Sequence, residues 1–588
     1  MRGFGCALFY YEEKDVEEKK LTGYPSIDKP WLKYYSEEAI NTPLPECTLY
    51  EHILKCNSDN LDRIALNYYG TNISYRSLFE EIDRIASALA GIGVKQGDIV
   101  TVIMINSPET VSLMFALNKV GAVANMVYGA DTPEEIKKHI VDADSQIVFI
   151  LDLFQDKVLE ILNHTSVQKV IVANLMQSMS LFNRIGAALF KKLKPLPLPS
   201  DPRFMNWKSF INHCPGAFET AHDAAAPAFI TYTGGTTGGS KGVLLSNFAV
   251  IAVAQQYIIG EEELYRKSRW MQVLPLFIAY GVTCSLMIPL SVGMTLIVRI
   301  PMSDTIAQLC KKFKPNHIMY SPAFWEAFAD ENENFDLSYL IAPISGGDIL
   351  PEKAERKINS YLEKHGSPYC LMNGYGMTEV GAAVSVNYRH TYEFGSVGAP
   401  FVKNIVSAFD IETGKELPCG KEGEICIHTP SMMIGYLNNP EETSNIIRRH
   451  DDGLLWIHSG DLGYISENGF IHISGRLKRY MLCFSNGVAK KVFSLDIEKV
   501  LVKHPNVEKC AVVPINDEVI NQAPVAFVVP LDNMEKKELE QSLIGFANEK
   551  LDQLYRPVRY YFLSKFPLTK VGKIDYRALE KQAEELNK

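Results

Sequence analysis

Tyr232-Thr233-Gly234-Gly235-Thr236-Thr237-Gly238-Gly239-Ser240-Lys241-Gly242 is the stretch on which the reading of this chain turns. After the tyrosine it holds five glycines, three threonines, a serine and a lysine. Glycines let successive backbone N–H groups converge on an anion, hydroxyls donate further hydrogen bonds, and a lysine adds a point charge. That chemistry is a polyphosphate cradle, since a plain turn requires neither three threonines nor a lysine. It departs from the Walker A pattern. With Gly235 as the first glycine, Ser240 falls where the second is needed, and Gly242 rather than Ser or Thr follows Lys241. Gly238-Gly239-Ser240-Lys241-Gly242 also fits G-x-S-x-G, but that elbow needs a strand before the serine and a helix after it. Here a glycine loop precedes, Val243-Leu244-Leu245 reads as a strand, and a helix begins only at Ser246-Asn247.

Outward from the loop the pattern is α/β. Upstream, apolar residues at Leu78, Ile82, Ile85 and Leu89 predict a helix from Ser74-Tyr75 that stops at Gly91 and Gly93. Strands are expected at Val100 to Ile105, Ala122 to Val127 and Gln146 to Leu151. Helices are expected from Asn106-Ser107-Pro108-Glu109 onward and from Thr132 to Ala143. Downstream, strands are predicted near Phe229–Thr233, Met294–Val298, His317–Tyr320 and Leu340–Ile344. Such alternation gives doubly wound, largely parallel sheets. Between Phe394 and Ile427 the spacing shortens into a β-rich, barrel-like part. After Gly475 comes an α+β unit with helices at Ser494–Val502 and Glu535–Lys550 and strands at Val507–Val513, Pro524–Val529 and Arg559–Phe562. The organisation expected is an N-terminal arm at 1–48, a large N-terminal domain at 49–477 and a small mobile C-terminal domain at 478–588.

Composition bounds the function. Apolar residues make up 47% and charged residues 22% of the 588, ordinary globular usage. The net charge of −10 is the wrong sign for a whole-chain nucleic-acid footprint, so no nucleic-acid partner is expected. Eleven cysteines without a C-x-x-C suggest reduced thiols in a cytoplasmic protein, and their spacing supports no structural zinc site. The apolar start Gly3 to Tyr11 runs straight into Glu12-Glu13-Lys14-Asp15 without a cleavage pattern, so no signal peptide is expected. Phe182 to Lys194 is basic and amphipathic and is followed by a proline-rich stretch, which reads either as a surface helix and connector or as a weak membrane-surface or lipid-substrate contact through residues 182–194.

The glycine loop resembles the signature TSGTTGxPKG of the adenylate-forming superfamily of acyl-CoA synthetases, nonribosomal adenylation domains and luciferases, with Gly234 for the usual Ser and Ser240 for the usual Pro. Six further motifs follow in the family's order. Leu274-Pro275-Leu276-Phe277 is similar to the segment at the acid pocket, and Ser345-Gly346-Gly347-Asp348 to the adenine-side loop. Asn373-Gly374-Tyr375-Gly376-Met377-Thr378-Glu379 resembles the YGxTE motif, His458-Ser459-Gly460-Asp461 the TGD motif and Gly475-Arg476-Leu477-Lys478 the hinge. Pro567 to Asp575 resembles the terminal lysine motif. Together these cover roughly residues 50–585.

The resemblance implies ATP, Mg²⁺ and coenzyme A, and a role for each matching residue. Thr233, Gly235, Thr236, Thr237, Gly238 and Lys241 would hold phosphates, and Gly346, Gly347, Asn373, Gly374 and Tyr375 would flank the adenine. Asp461 would accept both ribose hydroxyls, with Arg476 reaching ribose or phosphate. Glu379 would be the Mg²⁺ ligand, Thr378 would meet the α-phosphate, and Lys573 would bridge acid and α-phosphate as negative charge builds up. Lys478 would be the hinge about which the C-terminal domain turns between adenylation and thioester formation. Past it the chain departs from the family, since Arg479 to Gly487 is longer than usual and Lys490-Lys491 stand at unusual positions.

Amino-acid-activating members place an aspartate after the phenylalanine of the pocket motif. Ile278 stands there, and a buried ammonium would go unpaired. The pocket implied by Phe277, Ile278, Tyr280, Gly281, Cys284, Gly346, Gly376, Met377 and Gly381 suits a fatty or aryl acid of unspecified length. The expected reaction is ATP-dependent formation of an acyl-adenylate with pyrophosphate release, then transfer to the CoA thiol. The alternatives are a stand-alone adenylation enzyme loading a carrier protein in trans, and a non-catalytic nucleotide-binding relative.

Overall fold

The computed structural model describes residues 21–190, 194–213, 215–233, 240–261, 264–300, 306–330, 336–477, 479–485, 488–517, 519–531, 535–569 and 574–587. Helix starts follow from local chemistry. Ser74, Ser107, Thr132 and Ser246 each accept a backbone N–H three residues on, opening helices Tyr75–Gly91, Pro108–Lys119, Pro133–Asp142 and Asn247–Gly260. At Thr132 the bond is reciprocal, with Glu135 reaching back to the cap.

Two large sheets carry the main body. In the first, strands Pro227–Tyr232, Val123–Met126, Ile99–Ile103, Ile147–Leu151, Lys169–Ala173 and Phe204–Asn206 lie side by side and parallel. Gly242–Ser246 runs antiparallel on the outer flank of Pro227–Tyr232. In the second, Ile64–Tyr68, Thr295–Val298, Arg269–Gln272, His317–Tyr320, Ala342–Ser345 and Met372–Tyr375 form the parallel centre, with antiparallel strands at both edges. The main core lies between the sheets, where Phe115, Phe229, Trp270 and Tyr388 are almost fully buried beside helices 75–91, 108–119 and 247–260. A parallel sheet covered on both faces needs near-continuous apolar strands, and Val148-Phe149-Ile150 and Val170-Ile171-Val172 supply them.

The β-rich part is a five-stranded antiparallel sheet. Its long strand Leu455–Ile465 pairs with Gly423–His428, Ile447–Arg449 and Ile471–Arg476, and the register shifts along it. The segment before residue 49 is less irregular than the sequence suggests, with short helical turns at Pro25–Asp28, Pro30–Tyr34 and Glu37–Asn41. It lies on this sheet. Ser26 donates to Glu416 at 2.6 Å, and Trp31 is buried against Ala399 and Phe470.

The terminal unit packs strands Val507–Asp517, Asn521–Pro530 and Arg559–Phe562 between helices. Ser494–Leu501 and Lys536–Lys550 cover one face and Tyr576–Leu586 the other. It meets the body through Lys353, which donates to the Val507 carbonyl at 3.1 Å, and through the Lys509–Glu326 ion pair at 2.6 Å.

Candidate functional site

The carboxyl ends of the central parallel strands open on one cavity of about 920 Å³. Thr233 ends one strand, Tyr320-Ser321 another, and Ser345-Gly346-Gly347 and Tyr375-Gly376 two more, and all of these line it. Loops at the carboxyl ends of parallel strands converge because every strand points the same way, which is why open α/β sheets bind ligands there. Leu568 and Thr569 of the terminal unit close the same cavity.

Thr233, Ser240 and Lys241, which flank residues 234–239, are each held by a neighbour. Thr233 donates its N–H to the Lys241 carbonyl at 3.0 Å, closing the neck. Ser240, the residue standing for the usual proline, meets His139 Nε2 through its hydroxyl at 2.8 Å, and the His139 ring stacks on Tyr232 with centroids 3.8 Å apart. Lys241 lies 4.9 Å from the centroid of the Tyr436 ring and pairs with Glu442.

Two buried carboxylates stand at the polar end of the cavity. Asp461 accepts the Tyr375 hydroxyl at 2.6 Å and Arg476 Nε at 2.8 Å. Burial and then the Asp461 charge push the Tyr375 hydroxyl well above its usual range. Glu379 sits in a short helical turn and accepts the Tyr436 hydroxyl at 2.7 Å. Its burial outweighs this bond and raises its pKa. A desolvated carboxylate that shares a cavity with Lys241 suits a hard divalent cation such as Mg²⁺. Thr378 lines the cavity next to it, and Gly376 is held so close to the next turn that a Cβ would lie 2.1 Å from the Ala382 carbonyl oxygen.

The other end is apolar. Phe277 packs on Tyr128 with centroids 4.5 Å apart, and Ile278, Tyr280, Cys284 and Met377 line the wall. Tyr280–Met287 winds as a π-helix. The hydroxyls of Tyr257, Tyr280 and Ser345 are buried with no hydrogen-bond partner among the described residues, and all three residues line the cavity. Buried hydroxyls left unpaired are where a ligand completes a site.

The structure thus brings together Thr233, Lys241, Gly346, Gly347, Gly374, Tyr375, Gly376, Met377, Thr378, Glu379, Arg476, Phe277, Ile278 and Tyr280. Gly281 and Gly381, expected on the pocket wall, stand behind it. A Cβ on Gly281 would lie 1.9 Å from the Pro275 carbonyl oxygen, and Gly381 packs on Val253. Asn373 is buried with its amide turned to the Ser396 carbonyl at 3.3 Å. Asp461 reaches the site through Tyr375 and Arg476 rather than by lining the cavity itself. Gly235, Thr236, Thr237, Gly238, Lys478 and Lys573 lie outside the described residues. Sequence reasoning passed over Tyr436 and Glu442. The signal was Asn439-Pro440-Glu441-Glu442, a helix start that sets Glu442 in the first turn of Pro440–Ile446.

The sequence profile described as AMP-binding enzyme matches residues 55–437, and that of the AMP-binding enzyme C-terminal domain matches 496–573. A long-chain-fatty-acid–CoA ligase of Bacillus subtilis is 26% identical over 575 residues, covering 95% of this chain and 98% of its own length. A probable 4-coumarate–CoA ligase of Dictyostelium discoideum is 28% identical, covering 92% and 96%. Among solved structures, ATP-bound MatB from Rhodopseudomonas palustris superposes with a TM-score of 0.77 at 23% identity, over 92% of this chain and all of its own, and so shares the fold. An anthranilate CoA ligase in complex with anthranoyl-AMP has a TM-score of 0.76 at 21% identity, over 93% and 99%.

Proposed function

Because the chain belongs to the AMP-binding enzyme family, we propose that it activates a carboxylic acid with ATP, releasing pyrophosphate, and passes the acyl group from the adenylate to the thiol of coenzyme A. The observation that carries this reading is the convergence, in one cavity, of the Lys241 end of the glycine loop, buried Glu379 and an apolar recess at Ile278. A carboxylate and a triphosphate repel, so attack on the α-phosphorus needs that repulsion neutralised in a site prepared beforehand. Lys241 gives up Glu442 for phosphate, and Thr378 donates to the α-phosphate. Tyr375 presents its face to adenine, while Asp461 and Arg476 hold the ribose. Glu379 would hold Mg²⁺, which when bound draws the phosphate oxygens together and offsets their charge. Lys573 delivers the charge that the transition state develops.

The acid is apolar over most of its length. Ile278 offers nothing to an ammonium, and the curated relatives named above are ligases of fatty or aryl acids. In the division proposed, residues 49–477 form the adenylating body and 478–588 a unit that turns about Lys478 to admit the thiol. No helix among the described residues is long and apolar enough to cross a membrane. Leu181–Phe190 exposes Leu181 and Phe182 at 74% and 85%, and Arg184, Lys191, Lys192 and Lys194 follow in sequence. These features support a weak contact with an anionic membrane surface by an otherwise cytoplasmic enzyme.

The test is pyrophosphate release across a panel of fatty, aryl and amino acids, with and without CoA. Release with an apolar acid and thioester formation on CoA are expected. Adenylation without transfer to CoA would give the thiol role to a carrier protein, and no exchange with any acid would leave a nucleotide-binding relative.

A further inference from the structure

Strand Gly423–His428 turns Glu424 and Cys426 to the same face, two residues apart. Antiparallel pairing sets Cys426 directly opposite His458 on the neighbouring strand. Their donor atoms Glu424 O, Cys426 Sγ and His458 Nδ1 all lie within 4.8 Å of one another. His458 Nδ1 stands 3.5 Å from Cys426 Sγ and 2.8 Å from Glu424 Oε2. A tetrahedral zinc with ordinary Zn–S and Zn–N bonds separates sulfur from nitrogen by about 3.5 Å and nitrogen from oxygen by about 3.3 Å. The cysteine edge already has that length, and the carboxylate edge has to open by about half an ångström.

The surroundings complete the case. The second ring nitrogen of His458 meets His450 Nε2 at 3.0 Å, the outer partner that fixes a ligating imidazole. The other carboxylate oxygen, Glu424 Oε1, accepts the Gly460 N–H at 3.1 Å. Cys426 is fully buried, while Glu424 and His458 keep an edge on the main cavity, which gives an ion its way in and leaves a fourth position for water.

We propose that Glu424, Cys426 and His458 form a site for a thiophilic divalent cation of the zinc class, and that its occupation restrains the turn leading to Asp461. Binding forms Zn–S, Zn–N and Zn–O bonds, releases the thiol proton to water and leaves His458 neutral, its one remaining ring proton on the outer nitrogen. The coupling runs through three bonds. Glu424 holds Gly460, Ser459 donates to the Ile425 carbonyl at 2.6 Å, and the Asp461 N–H donates to Ser459 Oγ at 3.0 Å. Drawing Glu424 toward a metal therefore pulls on the backbone that carries Asp461, and inhibition shows as a raised KM for ATP. The inhibition rests on the ribose role proposed for Asp461, whereas the binding does not.

The experiment titrates the full-length chain, free of any polyhistidine tag, with Co²⁺ alone. The wild type is expected to give a thiolate-to-cobalt charge-transfer band and the visible bands of a four-coordinate ion, both erased by one equivalent of Zn²⁺. Cys426→Ser, on protein of unchanged melting, should lose the charge-transfer band and bind at least tenfold more weakly. Cys483→Ser should keep the band, and His450→Gln should weaken binding by roughly tenfold. In pyrophosphate exchange under excess Mg²⁺, Zn²⁺ should inhibit the wild type at least tenfold more strongly than Cys426→Ser, with equal basal rates. No charge-transfer band, or one that survives Cys426→Ser, overturns the site. A band lost with Cys426 but without inhibition keeps the site and removes the link to Asp461.

Discussion

The polar end of the cavity, proposed above as the nucleotide end, and the apolar end, proposed as the acyl end, are built on opposite plans. At the nucleotide end the polar groups already hold one another. Tyr375 and Arg476 converge on Asp461, Tyr436 on Glu379, and Lys241 on Glu442. At the apolar end the side chains of Phe277 and Ile278 offer no polar atom, and the hydroxyls of Tyr257 and Tyr280 are buried without a partner among the described residues. The first is a prepared field that a ligand enters by exchanging partners. The second is a shaped space that a ligand finishes. Within the nucleotide end, Asp461 has a cationic partner at hydrogen-bond distance, while Glu379 accepts a neutral hydroxyl.

The largest effect tests whether the charge that completes the prepared field comes from the terminal unit. Lys573→Ala should slow adenylation by about 10²–10³-fold, the scale of losing one preorganised electrostatic group, and leave thioester formation from supplied acyl-adenylate nearly untouched. Equal losses in both half-reactions would make Lys573 structural.

Glu379 and Asp461 then separate the two kinds of buried carboxylate. Glu379→Gln should cut pyrophosphate exchange by roughly 10²-fold while raising the melting temperature of the ligand-free protein at neutral pH. The folded-state pKa of Glu379 is raised, chiefly by desolvation. Its ionised form therefore costs stability. The cost is absent below the unfolded pKa, grows as pH rises toward the folded value and is complete above it. The gain in melting temperature should vanish in acid. Asp461→Asn should raise KM for ATP by about 10–100-fold, the worth of one charge-assisted hydrogen bond, and should lower the melting temperature by stranding Arg476. Opposite signs in melting are the decisive outcome, and the same sign for both would erase the distinction.

The smallest effect probes the acyl end. Ile278→Asp places a desolvated charge beside an apolar chain and should cost activity on fatty or aryl acids by about 10-fold or more, with KM for ATP unchanged. Full activity would take Ile278 off the wall and reopen amino acids as substrates.

The prepared end is also the end that was readable in the sequence. Residue types at short fixed spacings carry the family resemblance, so Lys241, Glu379, Asp461 and Arg476, proposed for phosphate, metal and ribose, stand out in a linear reading. The same holds for helices capped at Ser74, Ser107, Thr132 and Ser246, because each signal lies within four residues. What stayed hidden depends on pairing between distant segments. Glu442 reaches Lys241 across 201 positions, and Cys426 meets His458 only because two antiparallel strands set them opposite. Gly281 and Gly381 read as pocket glycines because a glycine that admits a ligand and one that admits backbone look alike in one dimension. The turns at Pro25–Asp28 and Glu37–Asn41 carry too little periodicity to separate from coil.

The π-helix at Tyr280–Met287 has a consequence for how such a wall changes over generations. A π-turn accommodates one residue more than ordinary helical winding. Deleting a single codon within it lets the segment return to ordinary winding with its flanks kept in register, so that only the side chains inside the segment are redistributed around the axis. Tyr280 and Cys284, which line the cavity, would then face it in a new order while Ile278, Glu379 and Asp461 stayed in place. One frame-preserving indel can in this way retune which acid is accepted, leaving adenylation itself intact.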